Sequence, residues 1–206
     1  LGDSGISSTT LNNNFEGGEG GIEEERNTYY GFNILSKKRV LLLVFGIILF
    51  IGAYSVGAML VKINGSEAQI IKRQFEEEVK GIDQFGIFLN NIQAAVWMFI
   101  PGFGIALSIF TAFSTGIVLN AILHTSLSFV SHQISPLIVF LTPFGVLEAI
   151  AYGIAISRSG ILSFQLIKTK NRRKYWKEKF LIPAVIEIGI VISLLFIGAI
   201  IEWQMI

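Results

Sequence analysis

Five stretches of this chain run for sixteen residues or more with almost no charge, and the charged residues are banked between them. A soluble domain of the same length would scatter its charge along the sequence. Here only 15% of 206 residues are charged, against about 25% in a typical soluble domain. Hydrophobic residues make up 52%, and the mean hydropathy is +0.62. Such runs suit a bilayer, where a spanning backbone must satisfy its own hydrogen bonds and therefore becomes helical. The expected fold is all-α, a polytopic membrane protein with about five transmembrane helices.

The expected spans are about 40–60, 85–100, 104–123, 137–157 and 181–201. Span one, Val40–Leu60, is uncharged and long enough to cross a core about 30 Å thick at about 1.5 Å per residue. Span two is short and holds Asn90, Asn91 and Gln93. Pro101-Gly102 breaks it, because proline cannot continue the helical bonding and glycine permits the turn. Spans two and three can also be drawn as a re-entrant hairpin, which keeps the same parity. Between spans one and two, Gln69–Lys80 sets Ile70, Ile71, Phe75 and Val79 at helical spacing beside Lys and Glu, the pattern of an interfacial amphipathic helix. Residues 1–33 form a separate acidic, polar N-terminal tail, and 34–206 the membrane domain. Asp3, Glu16, Glu19, Glu23, Glu24 and Glu25 are opposed there only by Arg26, a disordered composition.

Basic residues set the expected orientation. Lys37, Lys38 and Arg39 precede span one and place the N-terminus in the cytoplasm. The stretch 158–180 carries eight Lys and Arg against Glu178 alone, so it too is expected in the cytoplasm. Four spans lie between these regions, an even number, so the two assignments agree. The C-terminus then lies outside and the location is the cell membrane. Within the basic loop, Lys170, Arg172, Arg173 and Lys174 are interleaved with aromatics, which suits anionic membrane lipids as partners. It equally suits a plain positive-inside signal. A net charge of +1 gives no reason to expect nucleic acid.

Glu148 and Glu187 are the carboxylates within spans, and no Lys or Arg falls in any expected span to pair with them. An acid at the centre of a membrane helix costs roughly 2.5–3.5 kcal/mol. Each must therefore face protein or water. Counted from the cytoplasmic ends, Glu148, Asn90 and Asn91 lie about 14 Å deep. One intramembrane polar cluster of Asn90, Asn91 and Glu148 is expected, either as interhelical glue or as a substrate, ion or proton site. Gly145, Ala149, Gly153 and Ser157 recur every four residues, a stripe for close helix packing.

The chain from Asn90 to about residue 203 resembles the stage II sporulation protein M family. The resemblance rests on Asn90-Asn91, the Gly102–Gly104 bend, Asn120, and the run Pro143-Phe144-Gly145-Val146-Leu147-Glu148. That run resembles the family's Pro-His-Gly-x-x-Glu signature, with Phe144 in place of the histidine. Any proton-shuttling role of that histidine is therefore not carried over. The resemblance implies a scaffold-like or permease-like membrane protein and no particular reaction.

The residues offer no Ser/His/Asp grouping, no HExxH and no Walker motif, and there is no cysteine. No catalytic residue, metal site or cofactor is expected. The first expectation is a non-catalytic membrane subunit or scaffold that assembles with other membrane proteins or with itself. The alternative is a transporter or permease component with its polar site around Glu148, Asn90 and Asn91, since transporter sites commonly lie at the midplane.

Overall fold

The structure, a computed structural model, describes residues 37–126, 135–168 and 181–205. The acidic tail and the basic residues Lys170, Arg172, Arg173 and Lys174 lie outside the described residues. Among the described residues six α-helices run in order: α1 Lys37–Ser55, α2 Gly65–Val79, α3 Gln84–Met98, α4 Phe103–Ser126, α5 Pro143–Lys168 and α6 Leu181–Met205. A π-helical turn, Val56–Leu60, extends α1, and a 3-10 turn, Pro136–Leu141, leads into α5.

Among the described residues, four helices are long and apolar enough to cross a membrane: Lys37–Leu60, Phe103–Thr125, Pro143–Lys168 and Pro183–Met205. The protein is thus an all-α polytopic membrane protein. Span two is the one that falls short. At 15 residues, α3 is about 22 Å long, less than a hydrocarbon core of about 30 Å. With α4 it forms a hairpin of one short and one long arm. Gly102 turns the chain at φ +75, a conformation that L side chains rarely adopt. The Ser159 hydroxyl of α5 donates to the Ile100 carbonyl at 2.7 Å and pins this turn.

The sequence stops and starts explain the other boundaries. The Asn64 side chain accepts from the Glu67 amide at 2.9 Å while Glu67 accepts from the Asn64 amide at 3.2 Å, a reciprocal N-terminal cap for α2. Asn64, first residue of an Asn-Gly-Ser sequon, thus has a structural use. Its helix packs on α4 through the buried Ala68. Thr142 starts α5 by accepting from the Gly145 amide at 3.1 Å, with Pro143 in the first turn where its missing N–H costs nothing.

The core sits where α1, α3, α4, α5 and α6 meet, around Phe50, Tyr54, Met98, Tyr152, Val191 and Leu195. Close crossings are made by small residues, as expected where lipid tails supply no hydrophobic drive between helices. A Cβ on Gly46 would lie 2.8 Å from the Gly153 carbonyl oxygen, so α1 and α5 touch backbone to backbone. A Cβ on Gly116 would run into the Tyr54 carbonyl, so α1 and α4 touch likewise.

The largest departure from expectation is the end of span four. It continues without a break from residue 157 to Lys168. Arg158 is therefore inside α5, ten residues from its end, and not in a cytoplasmic loop. The expectation that no Lys or Arg lies in a span to pair with the carboxylates is overturned with it for Glu187.

Candidate functional site

Two polar centres lie inside the bundle, about 15 Å apart along α5 at helical rise. The first joins α1, α5 and α6. Arg39 is 3% exposed, Arg158 3% and Glu187 1%. Arg158 forks onto Glu187, with Nε donating to Oε2 at 2.6 Å and Nη2 to Oε1 at 2.6 Å. Arg39 approaches the same carboxylate from α1, its Nε donating to Oε1 at 2.9 Å and its Nη2 lying 2.8 Å from that oxygen. Arg39 Nη1 also donates to Ser157 Oγ at 2.5 Å, and Ser157 donates onward to the Ile154 carbonyl at 2.9 Å. Both carboxylate oxygens are taken. Two-toothed guanidinium–carboxylate geometry is the strong form of a charged hydrogen bond. Desolvating such a group is costly, and only complete pairing offsets it.

Glu187 was expected in a span without a basic partner, and the correction has a clear physical source. Arg39 read as the last of three interfacial cations, and Arg158 as the first of a basic loop. The helical reach of an arginine side chain lets both point inward from the helices that carry them. One signal was available: nine uncharged residues separate Arg158 from Lys168, enough to continue a helix.

The second centre lies toward the opposite end of α5, five residues after Pro143. Asn91 Nδ2 of α3 donates to Glu148 Oε1 at 2.6 Å. Glu202, near the end of α6, is the acidic neighbour of Glu148, and Tyr152 lies one turn along α5, buried against the Phe50 ring at 4.9 Å. Glu202 Oε2 is buried with no hydrogen-bond partner among the described residues. Glu202 was not singled out from sequence, since it closes the last apolar run beside Trp203 and reads as an interfacial residue. The antiparallel packing of α5 and α6 brings it back to Glu148.

Asn90 does not join this centre. It is exposed on α3, as is Gln93, while Asn91 points into the bundle. Neighbours on a helix are turned about 100° from one another, so an Asn-Asn pair cannot face one site with both side chains. Midplane depth for Glu148 is also corrected, because the true helix begins at Pro143 and runs to Lys168.

The small-residue stripe is divided among neighbours. Gly145, Ala149, Gly153 and Ser157 are all buried. Gly145 abuts the Val139 carbonyl of the preceding 3-10 turn, Gly153 faces Ile47 of α1, and Ser157 serves Arg39. In the signature-like run, Pro143 opens the helix, Phe144 lends its carbonyl to the contact with Gly198 of α6, and Glu148 carries the polar group. Asn120 donates to the Val61 carbonyl at 3.2 Å and ties α4 to the end of α1. Among the described residues no three His, Cys, Asp or Glu side chains gather as a metal site.

No curated protein and no solved structure matches the chain. A family model does: the one described as Stage II sporulation protein M matches residues 41–203. The matched stretch begins well before Asn90, where the sequence resemblance starts. It takes in the whole second centre and, from the first, Arg158 and Glu187. With most of its 206 residues matched, the chain belongs to the Stage II sporulation protein M family.

Proposed function

We propose that this protein is a non-catalytic membrane subunit, held in the cell membrane with its N-terminus cytoplasmic and its C-terminus outside, and assembled laterally with other membrane proteins or further copies of itself. The observation that carries this reading is the outer face of α3. Asn90 and Gln93 are exposed there, beside the exposed apolar side chains of Phe85, Leu89, Val96 and Trp97. Asn90 is six residues into the helix and Gln93 nine, about 9 and 14 Å along it. In hydrocarbon a carboxamide without a partner costs several kcal/mol. A short helix presenting two such groups calls for a protein neighbour that accepts their hydrogen bonds.

The chain has no cysteine, so single cysteines can be placed at will. A photoreactive label at Gln93→Cys, activated in native membranes, is expected to give protein adducts. The same label at Val185→Cys, on the exposed face of α6, serves as the lipid-facing reference. Equal, purely lipidic labelling at both positions would sink the reading.

A second reading, a transport component, is favoured by one observation, the unpartnered Glu202 oxygen beside Glu148 and Asn91. A pair of acids with a spare acceptor suits a proton or a small cation. In reconstituted vesicles, Glu148→Gln and Asn91→Ala are expected to alter proton or cation flux on this reading. Unchanged flux in both variants rejects it.

A further inference from the structure

A second feature of the bundle is independent of α3. Between α1 and α5, with Ile105 of α4 contributing, a groove of about 500 Å³ opens sideways. Its wall is almost wholly apolar and includes Leu42, Phe45, Leu49, Gly160 and Phe164. The lining residues cover about 10 Å of α1 and about 14 Å of α5.

The charge at the rim identifies the occupant. Lys38 precedes Leu42, Phe45 and Leu49 at helical spacing, so the groove face of α1 ends in a cation. On α5, Lys168 continues the face of Ile161 and Phe164, and its Nζ lies over the Phe164 ring, 4.3 Å from the centroid. Both lysines are exposed, and both stand beyond the same end of the groove. An apolar slot with cations at its mouth matches one chemistry. We infer that this groove holds an acyl chain of an anionic phospholipid, with the lipid phosphate between Lys38 and Lys168.

The purified full chain in mild detergent, offered equal phosphatidylglycerol and phosphatidylcholine, tests this by native mass spectrometry. Phosphatidylglycerol is expected to be retained roughly tenfold or more over phosphatidylcholine, the effect of two lysines near an anionic headgroup. Gly160→Leu should fill the groove and abolish retention of both lipids. A Cβ at that position meets only the Ile105 tip at 3.8 Å, so the helix packing survives. The paired surface variant Lys38→Gln/Lys168→Gln should remove the preference and leave chain retention. Lys80→Gln, at the far side of the bundle, should keep it. The inference is overturned if Gly160→Leu retains phosphatidylglycerol normally, or if the paired lysine variant keeps the preference. It is equally overturned if a photoreactive group at Gly160→Cys joins to residues 1–36 of the same chain or to another protein.

Discussion

The two polar centres are built from similar parts and finished differently. Around Arg39, Arg158 and Glu187, both carboxylate oxygens and a serine relay are engaged across three helices. Around Glu148, Asn91 and Glu202, one buried carboxylate oxygen has no partner among the described residues. A closed charge network is a clip: its groups satisfy one another and leave little for a ligand. An open one keeps bonding capacity in a place where unmet capacity is costly. The contrast assigns structural work to the first centre and leaves unmet bonding capacity at the second.

The largest expected effect breaks the clip. Glu187→Leu would bury two guanidiniums without their shared counter-charge, and removing one partner of a buried ion pair typically costs about 3–5 kcal/mol, a large share of the roughly 5–15 kcal/mol that holds a typical protein folded. Arg158→Leu is milder, about 1–3 kcal/mol, because Arg39 and Glu187 still form a neutral pair. Unfolding in detergent should rank the two in that order. Equal losses would mean that the three groups do not act as one unit.

Next comes the helix crossing that brings Arg39 to α5. Gly46→Val places a Cβ against the Gly153 carbonyl oxygen and should cost about 1–3 kcal/mol by overpacking. A Cβ on Gly52, on the same helix, meets nothing within 4 Å, so Gly52→Ala is the matched control. If both variants unfold alike, the close approach is not what holds α1 in place.

The open centre should tolerate more. Asn91→Ala removes one interhelical hydrogen bond and is expected to cost about 0.6 kcal/mol and at most about 1.7. A loss as large as that of Glu187→Leu would erase the distinction between the centres. The smallest effect is expected at Gln93→Leu, which should shift the isolated chain by no more than about 0.5 kcal/mol, as an exposed position does. Its consequence should appear only in native membranes, as loss of whatever copurifies with the chain. A destabilised isolated chain would show that Gln93 supports the fold itself.

Much of the fold was legible in the residues. Charge-free runs mark α1, α4, α5 and α6, and Pro101-Gly102 marks the hairpin, because a bilayer and a proline impose strong local rules. The start of span four is less clear: it is expected at about residue 137, while a 3-10 turn fills 136–141 and the helix begins at Pro143. Helix ends were less legible. Hydropathy weighs Arg158 as an end to the span, while the helix only requires that the arginine find a partner. The candidate site was half legible. Asn91 and Glu148 stand out as polar groups in apolar runs, but so does Asn90, and sequence distance does not say which of two adjacent amides turns inward.

What the sequence determined alone was the solvent and the secondary structure: a helical bundle matched to a bilayer, with a few polar groups in its runs. Those follow from local composition and the energy of an unpaired backbone in lipid. Tertiary structure decided which polar groups meet. Arg39 reaches Glu187 across 148 positions, and Glu202 returns to Glu148 across 54, through antiparallel packing that no local pattern encodes. An ion pair depends on a distance of about 3 Å between side-chain atoms, and that distance exists only once the helices have been placed.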